Sequence, residues 1–194
     1  MKKLVVLFAV GFLTAGAAMA QKKQVFKFDS FENVDLDGNI RIFLEQGREA
    51  EVEIEAKRES HLDEYKVEVR GNTLYVQHYE PDRFRSAPKI HVYLKHPGIR
   101  EMDVDGLIYI YSNDTVESES LRIKGDGLIR GDIVVNVGYL RVALDGLCTM
   151  TISGQADETD LRLDGMGKIR AQDLDTRVIS KSADGLASIR VGGR

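Results

Sequence analysis

The chain has 194 residues, 43% hydrophobic and 30% charged, with a formal net charge of −4 at pH 7. It is long and apolar enough for one substantial folded domain. It is too acidic for a general binder of nucleic acid or anionic membrane, either of which needs net attraction to negative charge.

The first twenty residues, MKKLVVLFAVGFLTAGAAMA, read as a bacterial export signal. Lys2 and Lys3 give a basic start, Leu4 to Leu13 an apolar core, and Ala18-Met19-Ala20 a small-residue cleavage site before Gln21. The apolar stretch is short for a membrane span, and no cysteine stands at the cleavage point to carry a lipid. Removing Lys2 and Lys3 takes the net charge to −6. The expected product is an exported protein of the periplasm, the outer-membrane surface or the medium. It would form one domain over residues 21–194, with no transmembrane segment in the mature chain.

Residues 21–99 carry an irregular β texture. Val34 to Ile42, VDLDGNIRI, contains an Asp-Gly motif 68 residues before Gly106, and Ala50 to Ala56 alternate as a strand. Ser60 to Glu64 read as a short helix or turn. In YKVEVRGNTLYVQHY the pair Gly71-Asn72 separates two alternating runs, as in a tight hairpin. Glu80 to Pro88 carries two of the three prolines and reads as a loop, and IHVYLKH follows as a strand. This part is expected to cap what comes next.

From residue 100 a repeat takes over. Asp105-Gly106, Asp126-Gly127, Asp145-Gly146, Asp164-Gly165 and Asp184-Gly185 recur at steps of 19 to 21 residues. Alternating runs flank each pair, with Ile108 and Ile110, Cys148, Met150 and Ile152, or Ile189 and Val191 on the inward parity. Two residues after each Asp stand Leu107, Leu128, Leu147, Met166 and Leu186, apolar every time and expected to be buried between neighbouring coils. Gly tolerates the bend, and Asp can hydrogen-bond nearby backbone. The expected fold class is all-β, a single-domain parallel β-helix (a β-solenoid, right-handed) with coils of about 20 residues.

Three constellations are candidates for chemistry. Asp105, Asp126, Asp145, Asp164 and Asp184 would stack as an acidic column about 4.8 Å apart, either as turn-formers in solvent or as a Ca²⁺ ladder that relieves their repulsion. On the outward parity, Arg130, Lys168, Arg170 and Arg190, led by Tyr109 and Tyr111, form a face suited to an acidic glycan or phosphate. The alternative is a solvated strand surface. Histidine is the third: His91 and His96, five apart, face opposite sides of one strand and cannot share a metal, and His61 and His78 have no ligand partner at suitable spacing. Cys148, the one cysteine, falls on the inward parity and reads as a buried core residue that forms no intramolecular disulfide. No nucleophile elbow, phosphate loop or dinucleotide fingerprint is present, and no catalytic residue, cofactor or closed metal site is expected.

FENVDLDGNIRIFLEQG, GNTLYV, KIHVYLKHPGIREMDVDG and the ladder of Gly-bearing coils resemble the family described as putative auto-transporter adhesin, head GIN domain. The resemblance runs from about Phe28 to the C-terminus. It implies a secreted or envelope protein of Bacteroidetes type, a β-helical fold and no assigned catalytic residue. Coils of that family commonly read Ser-Gly-Ala-Gly-Asp. Here Asp replaces the Ser, and only Asp164-Gly165-Met166-Gly167 keeps both glycines, so any ligand role of the family's turn Asp has no matching position. The expected function is a non-enzymatic exported envelope or cell-surface protein, adhesin-like, binding a glycan or a protein partner through one face. The alternative is a small polysaccharide-active enzyme on a β-helix, against which stands the near-constant repeat length, leaving no room for cleft-building loops. The chain ends at Gly192-Gly193-Arg194 directly after the last coil, so surface display would depend on another protein.

Overall fold

Alternation of apolar and polar side chains makes this chain strand almost throughout, and the pairing of those strands decides its architecture. The computed structural model describes residues 22–80 and 86–192. The expected export signal and the centre of the expected loop at 80–88 lie outside the described residues. In chain order the elements are β1 (Lys22–Phe28), β2 (Asn33–Gln46), β3 (Ala50–Ala56), a one-turn helix α1 (Glu59–Leu62), β4 (Tyr65–Arg70), β5 (Thr73–His78), β6 (Ile90–His96), β7 (Glu101–Ala171), β8 (Leu174–Ala183) and β9 (Leu186–Val191).

All nine strands join one sheet in the order β1-β3-β6-β2-β5-β4, with β7 paired to β2, β8 and β9. The pairs β1–β3, β3–β6 and β4–β5 are antiparallel. Those of β2 with β5, β6 and β7, and of β7 with β8 and β9, are parallel. The expected parallel β-helix is therefore overturned: the fold is all-β, but its sheet is mixed and nearly closed, like a barrel. The physical reason is that residues 22–96 do not cap a separate stack. β2 pairs with β7 from Asn33↔Glu101 to Leu44↔Ser112, so the irregular half lies inside the same sheet. A period of about twenty reports which residues become neighbours and leaves the direction of every other strand open.

The Asp-Gly pairs still set local geometry. β7 bends at each and returns beside itself, bringing Gly127 against Gly106, Gly146 against Gly127 and Gly165 against Gly146. At Gly146 φ is +93°, and a Cβ there would lie 2.5 Å from the Gly127 carbonyl oxygen, so only glycine fits. Gly38 is required for another reason. Tyr65 covers it, taking a hydrogen bond from the Asn39 N–H at 2.9 Å and donating one to the Pro88 carbonyl at 2.9 Å, and its hydroxyl would be 2.8 Å from a Cβ at that position.

The inward parity builds one continuous core, from Val34, Leu36, Ile40 and Ile42 of β2 through Val92 and Leu94 of β6 to Ile108, Ile129, Met150 and Ile169 of β7. Cys148 is fully buried in it, donating its thiol hydrogen to the Asp145 carbonyl at 3.2 Å, and burial pushes its pKa up to about 11. That is a structural thiol, protected from deprotonation and hence from attack. The apolar residues two after each Asp behave differently from expectation. They share the outward parity of the Asp, so Leu107 and Leu128 are half-buried, and Leu147, Met166 and Leu186 are exposed. Among the described residues β8 pairs only with β7, and there Lys181 stands opposite Leu161, on the parity that elsewhere points inward.

Candidate binding face

Where β3, β6, β2 and β7 run side by side, their registers align outward side chains into rows across the sheet. One row reads Glu55, His91, Arg41 and Tyr109, and the next Glu53, Tyr93, Phe43 and Tyr111. Because side chains on adjacent strands meet directly, residues far apart in sequence become a single surface.

The second row is an aromatic ladder. Phe43 lies between two tyrosines, 5.0 Å from Tyr93 at an interplanar angle of 12° and 5.7 Å from Tyr111 at 23°. His91 meets Phe43 edge-on at 6.2 Å. These separations belong to offset stacking, in which each ring leaves part of its face uncovered. All three rings of the ladder are half-buried, fixed by their neighbours and open to solvent on one side.

Cations border the ladder. The Arg41 guanidinium sits 5.4 Å from the Tyr109 ring centre and 5.8 Å from that of Tyr111, and the Lys89 ammonium is 5.5 Å from the Tyr109 centre. Such contacts place positive charge against ring faces. Burial, then Arg41 and Lys57, lower the Lys89 pKa; burial, then Lys89 and Arg41, lower that of His91 against the pull of Glu55. The acids on the far side are already engaged. Lys23 reaches Glu53 at 2.8 Å and Glu55 at 2.5 Å, and Tyr93 donates to Glu55 at 3.4 Å. Among the described residues no carboxylate pairs with Arg41 or Lys89, and the Arg41 Nε, shut off from solvent, has no acceptor.

Of the residues singled out in the sequence, Tyr109 and Tyr111 are in this surface. Arg130 is exposed on the next pass of β7, beside Tyr109 by the offset that sets Gly127 on Gly106, and Lys168, Arg170 and Arg190 lie at the far end, where Lys168 is opposite Ser188 and Arg170 opposite Arg190. The structure therefore separates the tyrosines from the main basic cluster. Sequence reasoning missed Phe43, Tyr93, Arg41 and Lys89. A signal for two of them was present: aligning Asp37-Gly38 on Asp105-Gly106 sets Arg41 beside Tyr109 and Phe43 beside Tyr111, as the register does.

Asp105, Asp126, Asp145, Asp164 and Asp184 all have exposed side chains at the bends. Asp184 accepts the Gly185 N–H at 2.7 Å, the local bond expected of a turn residue. Burial, then neighbouring Asp126, raise the pKa of Asp105. Among the described residues no group of three or more His, Cys, Asp or Glu is placed to hold a metal ion. His91 belongs to the candidate face and His96 points inward, fully buried. His78 lies 3.3 Å from Glu64, and His61 sits in α1.

A family model for the putative auto-transporter adhesin, head GIN domain, matches residues 30–193. Among solved structures, a putative adhesin from Bacteroides fragilis superposes with a TM-score of 0.76 at 16% identity, covering 90% of this chain and 98% of that one. A putative adhesin from Parabacteroides distasonis gives 0.66 at 17% identity, with coverage of 89% and 82%. A protein from the same species described as a putative lipid binding protein gives 0.58 at 13% identity, with coverage of 90% and 95%. At such identities the likeness is one of fold. Comparison with curated protein sequences found no match.

Proposed function

The chain belongs to the family described as putative auto-transporter adhesin, head GIN domain, and from that premise we propose that it is a non-enzymatic, exported surface protein that binds a glycan on the ladder Tyr93–Phe43–Tyr111. The observation that carries this reading is the ladder itself: three half-exposed rings on three adjacent strands, held in offset stacks. Sugar rings present apolar C–H faces, and aromatic surface is their usual complement. Fixed backbone rows also mean that little freedom is lost on binding. The polysaccharide-active enzyme remains the weaker reading. Its chemistry needs a free acid and a free base across a bond, and the two acids beside the ladder are both held by Lys23.

The test is a glycan array followed by calorimetry on the best-bound oligosaccharide. Tyr111→Ala is expected to weaken binding roughly tenfold, the loss of about 1.4 kcal/mol of ring contact, while Thr151→Ala, two bends further along β7, changes nothing. Retention of no glycan by the wild-type protein, or undiminished binding by Tyr111→Ala, would reject the reading.

A further inference from the structure

We infer that Arg41 and Lys89 make the ladder selective for acidic glycans, holding a sugar carboxylate beside Tyr109 while the sugar rings lie on Phe43 and Tyr111. The inference rests on the glycan-binding reading above and specifies its substrate class.

The argument begins with two cations on one ring. Arg41 and Lys89 both approach Tyr109, at 5.4 and 5.5 Å from its centre, and the Arg41 charge opposes that of Lys89. Proteins ordinarily relieve such a pair with a carboxylate. Glu53 and Glu55, at the β3 end of the rows, are both drawn toward Lys23 on β1, and Asp132, on the next pass of β7 beside Tyr111, is exposed to solvent. Lys57, immediately after β3, adds to the positive field at Lys89, and His91 is held toward its neutral form beside them. Among the described residues the charges that act on Lys89 are those of Arg41 and Lys57, and no carboxylate offsets them there.

Chemistry narrows the ligand further. A guanidinium offers a planar fork that matches a carboxylate, and an ammonium adds a point charge that need not be aligned. Arg41 is itself positioned by stacking against Tyr109 and Tyr111, which fixes the fork relative to the ladder. A uronic acid carries both parts this surface would recognise, a ring with an apolar face and a carboxylate at its edge. The more distant cluster of Lys168, Arg170 and Arg190 has charge without a ladder, which would attract polyanions without orienting them.

The probe pair is tetragalacturonate and its methyl ester, which share every ring and differ in charge, titrated into the wild-type protein at low salt. The acid is expected to bind at least tenfold more tightly than the ester. Arg41→Gln and Lys89→Gln should each reduce that preference and together abolish it. The double variant Lys168→Gln/Arg170→Gln should keep it. Lys89 is exposed and bears on folding least, so its variant remains informative if Arg41→Gln folds poorly. Equal affinity for acid and ester would overturn the charge inference and leave the ladder reading standing. So would a preference that survives both substitutions or that disappears in the Lys168/Arg170 variant. If neither probe binds nor any array glycan is retained, both fall together.

Discussion

At the junction of β2, β6 and the first stretch of β7, one outward row carries Tyr93, Phe43 and Tyr111. Two bends later the same position on β7 is Thr151, and at its end Arg170 faces Arg190 of β9. The backbone frame is alike in both regions: strands in parallel register, alternate residues outward, a glycine bend at one side. The side chains differ in kind. Stacked rings hold each other in place, whereas exposed Arg190 keeps its rotamer freedom and would lose it on binding. The comparison teaches that strand register supplies spacing, and that side-chain rigidity turns spacing into a preformed surface.

The sharpest way to break this comparison is Gly146→Val, which strikes only the later region. A β-branched residue at φ +93°, with its Cβ 2.5 Å from a backbone oxygen, cannot be accommodated without moving β7. A loss of at least about 3 kcal/mol is expected. Hydrogen exchange should show protection falling first around residues 127–165 while β2 keeps its own. Uniform loss along the chain would mean that the two regions unfold as one.

Acid should strike the earlier region instead. His96 of β6 is fully buried, neither ring nitrogen has a partner, and burial lowers its pKa to about 4 despite the opposing influence of Asp114. The unfolded chain takes up this proton near its ordinary value of about 6.5, so the folded state is favoured fully above that pH and progressively less down to about 4. One such group corresponds to roughly 3 kcal/mol across the window. Asp35, whose carboxyl burial holds above its usual value, acts in the opposite sense at lower pH. Melting between pH 7 and 4 should therefore show a fall that His96→Leu flattens. An unchanged slope in that variant would assign the acid sensitivity elsewhere.

The smallest effect is expected at the bends. Asp145→Asn keeps a side-chain acceptor and removes one of a line of like charges, so stability should change by no more than about 0.5 kcal/mol. Melts with and without millimolar Ca²⁺ should coincide. A marked Ca²⁺-dependent rise that Asp145→Asn abolishes would convert the acidic column from turn-formers to a metal ladder.

Much of this was legible in the chain and some was not, for identifiable reasons. Period-two alternation marks VDLDGNIRI, AEVEIEA and IHVYLKH as strands, and all three are. The hairpin at Gly71-Asn72 joins β4 to β5 with Arg70 opposite Thr73, as its turn residues imply. Cys148 lies inside, where its parity puts it. What alternation cannot carry is direction, because an antiparallel and a parallel neighbour leave the same inward-outward pattern. Hence β1, β3 and β4 enter one mixed sheet without altering anything in the repeat. The candidate face was half-legible for a similar reason. Tyr109 and Tyr111 stand out inside the repeat, while Phe43 and Tyr93 gain meaning only once β2 and β6 are known to lie next to β7. The row of Leu147, Met166 and Leu186 was read by its chemistry and not by its parity, which it shares with the exposed Asp.

Lys181 has a consequence for the molecule's behaviour in a crowd. β8 is an open edge, and an open edge is a template on which another strand can grow. Any chain laid against it in the pattern of β7 would set its own apolar side chain over the Lys181 ammonium, where Leu161 sits one layer below. Covering that charge without a counter-ion costs several kcal/mol, enough to stop the addition of layer upon layer that would otherwise lead to fibres. Light scattering at rising concentration should stay flat for the wild-type protein and climb for Lys181→Leu; equal scattering from both would show that the edge is guarded by something else.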